Sequence, residues 1–418
     1  MLSNYICALD IGSSKIAAAV AQVKKGRIAN MFFEAQSPNK GIRNGSVADS
    51  IELTGSISRI LKNLKARSGI HIKFLYTNIS GFDIATKHSS AIIPLAERGN
   101  KVITQSDIFL VNEQARILGS SLEEEIIHRI AHRYAIDSNN NISNPIGLYS
   151  HRLEVDLYLV CAKLSFMQGL NRAVNQAGYE MKDIFLSGLS TSAAVFNKEL
   201  KEGVTVLCDI GSDITEILLF KDGVLRDIQI LSLGGNDLTM LLEEKLKVSF
   251  DLAEDVKVSW GSVGDYNQAN NKKEILLKQN NNYKPISQQL VSEILTPKSK
   301  SVCQAIKDSV EKMVACNEID NFVTTGRAVL LEGFLEMLEN SLGVSVKLGR
   351  IANPDIVSWV NKESAMSGQK YLTYVTALGI ICQALYIPKF QTLTKRCSSR
   401  NPILKTINKA KEIYQEYF

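Results

Sequence analysis

Two short stretches hold the residues best suited to chemistry. Asp10-Ile-Gly-Ser-Ser-Lys15 and Asp209-Ile-Gly-Ser212 each place a carboxylate directly before a turn of small residues. Without bulky side chains, a turn lets backbone N–H groups come close to an anion. Gly12, Ser13 and Ser14 on one side, and Gly211 and Ser212 on the other, can thus cradle phosphates. Lys15 can neutralise phosphate charge. Asp10 and Asp209 are candidate metal ligands for Mg²⁺ through water, because Mg²⁺ keeps several waters and takes few carboxylates. One such stretch alone reads as a hairpin with a polar tip. Two in matching contexts point to a nucleotide cleft.

The elements that must position these residues are legible around them. Tyr5 to Asp10 is a short apolar run, followed after the turn by a second run to Val23, a Lys-Lys-Gly turn and a third run to about Gln36. Val204 to Asp209, Ile214 to Phe220, a Lys-Asp-Gly turn and Val224 to Leu233 repeat the pattern about 200 residues later. Short apolar runs bounded by turn residues are strands. The duplication predicts two related domains with a cleft between them.

With these residues in place, the chain resembles the actin-like ATPase superfamily and, within it, the bacterial cell-division FtsA family. Ala8 to Lys15 is similar to the first phosphate loop of that family, and Gly41-Ile-Arg-Asn-Gly-Ser-Val47 to the GI-x-x-G-x-V segment after it. Asn144-Pro-Ile-Gly147 with Arg152 to Val155, Leu233-Gly-Gly-Asn236, Ala253 to Lys257, Thr325-Gly326 with Leu331 to Gly333, and Thr376 to Gly379 match further segments in order. The resemblance implies an α/β, actin-like two-lobed fold of duplicated ribonuclease-H-like domains, with a small α+β domain inserted in the first lobe. The first lobe is expected over 1–82, 166–199 and 370–388, and the insert over 83–165. The second lobe is expected over 200–240 and 318–369, with its smaller subdomain over 241–317. An Asn-rich patch from Asn267 to Asn282 reads as an exposed loop.

The same resemblance implies bound ATP with Mg²⁺. It adds Gly234, Gly235, Glu254, Lys257 and Gly326 to the nucleotide site, with Glu254 and Lys257 near ribose and adenine. Two loops depart from the family pattern. The second phosphate loop is Asp209-Ile-Gly-Ser-Asp-Ile-Thr-Glu216 where D-x-G-G-G-T-T-D is usual, and the adenosine loop is Gly326-Arg327-Ala328 where G-G-G is usual. A Cβ blocks close backbone approach and a carboxylate repels a triphosphate, so weak or absent ATP hydrolysis is expected.

The C-terminus carries a separate signal. From 401 to 418 a helical period puts Ile403, Ile407, Tyr414, Tyr417 and Phe418 on one face, flanked by Leu404, after a basic linker over 389–400. Residues 389–418 hold seven basic and two acidic side chains, so they account for the whole net charge of +5. An aromatic and apolar face with lysines suits in-plane binding to anionic membrane. Docking on the protein's own core is the other use of such a helix, and the family resemblance favours the membrane.

The remaining features mostly exclude. The balanced body argues against nucleic-acid binding. Seven cysteines without a CxxC pair suit a reducing cytoplasm, and no signal peptide is expected at the N-terminus. The uncharged run from Tyr371 to Pro388 reads as a buried core helix. Glu124, His128 and His132 have helical metal-site spacing, but a strand is expected there, and residues four apart on a strand lie ~13 Å apart. The leading expectation is a division protein that self-associates into filaments and anchors FtsZ, through the FtsZ C-terminal tail, to the cytoplasmic face of the membrane at the septum, together with other division proteins. The alternatives are a PilM-like non-enzymatic scaffold of type IV pilus assembly and a small-molecule kinase of the same superfamily.

Overall fold

The computed structural model describes residues 5–36, 41–96, 99–137, 139–264, 274–279, 282–361 and 366–386. The expected membrane helix and its linker lie outside them. Two five-stranded sheets carry the duplication. The first has the order Arg27–Gln36, Ile16–Lys24, Tyr5–Ile11, Phe74–Ile79, Glu180–Leu186. The second has the order Val224–Leu231, Thr215–Lys221, Val204–Ile210, Asn321–Thr325, Val346–Leu348. In each, the first three strands pair antiparallel and the last two join parallel. Strands Tyr5–Ile11 and Val204–Ile210 are almost wholly buried, which suits central strands covered on both faces.

The two hairpins share one pairing register. Asp10 pairs with Ala17 and Asp209 with Glu216, and the turns close through Gly12 N to Lys15 O at 2.9 Å and Gly211 N to Ile214 O at 3.0 Å. Helices Ser187–Val195 and Val375–Tyr386 pack against one another between the sheets, as their small residues permit. A Cβ on Gly379 would lie 1.6 Å from the carbonyl oxygen of Ser190, so only glycine allows this crossing. Within the run expected as a core helix, the helix Val375–Tyr386 is mostly buried. Among the described residues no helix is long and apolar enough to cross a membrane.

Between strand Phe74–Ile79 and helix Leu164–Gln176 the chain builds a separate sheet in the order Asn139–Ile142, Glu124–Ile136, Arg152–Lys163, Ile84–Pro94. Helix Gln105–Leu118 covers it, and Val111, Ala115, Leu153, Val155 and Leu159 form its own core. The Asn-rich stretch expected as a loop is partly a hairpin. Glu274–Gln279 pairs antiparallel with Asn282–Ser287, and Ile275 and Ile286 are buried. The Asn content masked one apolar position, Ile275, that packs into the core.

Candidate functional site

The two Asp-Ile-Gly-Ser turns face one cleft of about 430 Å³ between the sheets. Asp10, Gly12, Ser13, Ser14 and Lys15 line it from the first sheet; Asp209, Gly211 and Ser212 line it from the second. Gly235, Glu254, Lys257 and Gly326 line it too. Gly234 stands behind the second turn, where a Cβ would come within 2.6 Å of the carbonyl oxygens of Gly211 and Ser212. Gly326 has φ +90°, and a Cβ there would meet the Ile210 carbonyl at 2.1 Å. These glycines let three backbone segments converge where no side chain would fit.

Asp10 is fixed by its neighbours. Asn78 Nδ2 donates to its Oδ1 at 2.9 Å, and Asn78 Oδ1 accepts from Ile11 N at 2.7 Å. Lys15 Nζ lies 2.5 Å from Asp10 Oδ2 and donates to the Thr373 carbonyl at 2.7 Å. Lys15 thus neutralises Asp10 first. Asp209 accepts from Thr191 Oγ1 at 3.2 Å. Burial raises its pKa, and the charge of Asp10 adds to the effect. A buried carboxylate raised by a second one close by is the environment a cation relieves.

On the far wall, Lys257 Nζ reaches Gly235 O at 2.8 Å, Thr239 Oγ1 at 2.6 Å and Glu254 Oε2 at 2.6 Å. Burial lowers its pKa. Lys257 and Glu254 therefore form a fixed wall on helix Phe250–Trp260.

The departures from the family pattern turn out to be structural. Asp213 Oδ2 accepts from Asn44 N at 2.9 Å, and its Oδ1 accepts from Asn236 Nδ2 at 2.6 Å. It joins the Gly41–Val47 segment of one lobe to the second phosphate turn of the other. Arg327 Nη2 crosses the cleft to Ser14 Oγ at 2.9 Å. Glu216 is buried, accepts from Gly188 N at 2.6 Å and from Ser80 Oγ, and burial pushes its pKa up to about 8. Asp213, Glu216 and Arg327 stood out in the sequence only as departures. Asn78 left no signal, because its partners are remote in sequence.

The family model for cell division protein FtsA matches residues 206–379, and the model for the SHS2 domain inserted in FtsA matches residues 81–161. The chain belongs to the FtsA family. Its function is accordingly in cell division, and its fold is actin-like with an FtsA-type insert. A cell division protein FtsA of Borreliella burgdorferi is 25% identical over 94% of each chain. Among solved structures, one of the PilM–PilN type IV pilus biogenesis complex is similar with a TM-score of 0.63 at 15% identity, covering 92% of this chain and 99% of that one. A MamK double helical filament is similar with a TM-score of 0.53 at 10% identity, covering 92% and 99%. At such identities the likeness to both is one of fold. The order of two duplicated sheets with the FtsA insert between Ile79 and Leu164 agrees with the family placement.

Proposed function

We propose that this FtsA-family chain binds ATP with Mg²⁺ in the cleft, self-associates into actin-like filaments, and tethers FtsZ to the cytoplasmic face of the membrane at the septum. The observation that carries the nucleotide part is the convergence of both Asp-Ile-Gly-Ser turns on one cleft, with Asp10 and Asp209 at its floor. The residues fit the group. Small turns let a phosphate approach the backbone, Gly326 lets its loop close against Ile210, and the Asp10 and Asp209 carboxylates, with the pKa of Asp209 raised by burial, favour a hydrated cation. Bound Mg²⁺ would supply charge neutralisation between these carboxylates and the phosphates.

Hydrolysis is expected to be slow or absent. Lys15 is held by Asp10, Lys257 by Glu254, and Asp213 occupies a position where a triphosphate meets negative charge. A cleft of this kind serves better as a nucleotide-dependent brace between lobes than as a turnover site. The membrane part rests on charge. The whole net charge of +5 sits in residues 389–418, beside an amphipathic period with Tyr414, Tyr417 and Phe418.

The likeness to PilM favours a second reading, a scaffold for a membrane-protein peptide, but it is a likeness of fold alone. The kinase reading is weakened by the altered second phosphate loop. Titration of purified protein with a fluorescent ATP analogue, with and without Mg²⁺, tests the cleft. Saturable, Mg²⁺-dependent binding competed by ATP is expected. No binding in either condition would remove the nucleotide from the function.

A further inference from the structure

A second cluster of chemically active side chains sits outside the cleft, where the inserted domain meets the second lobe. His88, His132 and Asp156 come from strands Ile84–Pro94, Glu124–Ile136 and Arg152–Lys163 of the inserted sheet. Asp156 pairs with Arg133 and Leu157 with Ala131, so His132 is the extra residue of a β-bulge. A bulge re-aims one side chain. Here it brings His132 to the face shared by His88 and Asp156, and one ligand atom from each of the three lies within 4.8 Å of the others.

The imidazoles are already oriented. His132 Nε2–H donates to the Leu225 carbonyl at 2.8 Å, which leaves the Nδ1 lone pair free in the neutral ring. Burial and the charge of Arg226 lower the pKa of that ring. Tyr158 stacks on it at 4.9 Å between centroids and is itself tied to Asp227 at 3.2 Å. His88 packs edge-on against both rings. A backbone carbonyl on the far nitrogen is the usual outer support of a metal-bound histidine. His88 Nδ1 lies 3.1 Å from Asp156 Oδ1. That is close to the ~3.4 Å edge of a tetrahedron with arms of ~2.1 Å. The neighbouring cations leave Oδ1 of Asp156 to face His88. Arg133 Nε lies 3.7 Å from the other carboxylate oxygen, Oδ2, and Arg226 Nη1 donates to the His132 carbonyl at 3.0 Å.

The geometry points to a divalent-metal site of two imidazoles and one carboxylate, suited to Zn²⁺ with water in the fourth position. Its ion would also stiffen the seam, because His132 holds Leu225 in the edge strand Val224–Leu231 of the second lobe. The sequence spacing groups His132 with His128 and Glu124. The His128 ring is partly buried, accepts from Leu186 N at 2.8 Å and stacks on Phe185, so it serves the packing of strand Glu180–Leu186.

The test uses untagged full-length protein, stripped with EDTA, dialysed and titrated calorimetrically with ZnCl₂. Wild type is expected to bind one Zn²⁺ per chain. His88→Gln and Asp156→Asn are each expected to weaken binding at least tenfold, an effect of about the size that loss of even an outer-shell partner produces. His88 has a side chain 54% exposed, so its substitution is expected to leave the fold intact. His151→Gln, whose ring pairs with Asp137 at 2.7 Å, is the control and is expected to bind as wild type. Zn²⁺ is further expected to raise the melting temperature of wild type and of His151→Gln but not of His88→Gln. Absence of stoichiometric binding by wild type, or wild-type affinity in both His88→Gln and Asp156→Asn, would overturn the assignment.

Discussion

Arg327 Nη2 donates to Ser14 Oγ at 2.9 Å, joining the loop after strand Asn321–Thr325 to the first phosphate turn across the cleft. Lys15 and Lys257, the other cations lining the cleft among the described residues, are each held by a carboxylate. Arg327 is thus the cation best placed to exchange a neutral hydroxyl for a phosphate. A charge-assisted hydrogen bond is worth about 1.5–3 kcal/mol, so Arg327→Ala should weaken ATP binding by roughly tenfold or more. Titration with a fluorescent ATP analogue checks this; unchanged affinity would remove Arg327 from the site.

Asp213 has two roles with opposite consequences. Its carboxylate ties Asn44 to Asn236, and its charge opposes a triphosphate. Asp213→Asn keeps an acceptor for Asn44 N and drops the charge. ATP affinity should rise by roughly three- to tenfold, a gain of about 1 kcal/mol in a partly screened site. Lower affinity in the variant would mean that the cross-lobe link outweighs the repulsion.

Glu216 makes stability depend on pH. Its ordinary value is 4.5 and burial pushes it up to about 8 in the folded protein. The folded state therefore binds the proton more tightly, so the contribution to stability is complete below about 4.5 and is lost as pH rises through about 8. Glu216→Gln copies the protonated form, with an amide able to donate to Ser80 Oγ and a carbonyl to accept from Gly188 N. Melting temperatures from pH 6 to pH 9 should fall more steeply in wild type than in the variant. Parallel curves would contradict the raised value.

Gly379 is the contact point of the two central helices. Gly379→Ala places a Cβ 1.6 Å from the Ser190 carbonyl oxygen, backbone against backbone, with no flexible side chain to yield. A stability loss of about 3 kcal/mol or more is expected, in the range of severe overpacking. Urea unfolding measures it, and a loss below about 1 kcal/mol would mean the helices separate easily.

Much of this arrangement was legible in the sequence, for definable reasons. Strand–turn–strand units depend on short-range patterning, so Asp10 and Asp209 could be placed at strand ends and their turns set facing a cleft. Gly326, Glu254 and Lys257 came from the resemblance, and they do line it. The hydrogen bonds that fix the site were not legible. Asn78 and Asp10 are 68 residues apart, Arg327 and Ser14 are 313, and no local pattern encodes such pairs. Gly234 shows the same limit, since a glycine that lines a loop and one that backs it look alike in sequence. His132 illustrates another, because a bulge breaks the period on which strand reasoning depends.

The proposed coupling of FtsZ to a membrane runs through the C-terminal tail of this chain. Its most direct test is co-sedimentation of the cognate FtsZ with anionic liposomes, in the presence of full-length protein or a truncation lacking residues 401–418. The full-length chain should carry FtsZ into the lipid pellet, and the truncation should leave it in the supernatant while still binding an FtsZ tail peptide. Equal sedimentation with both proteins, or none with either, would contradict the account.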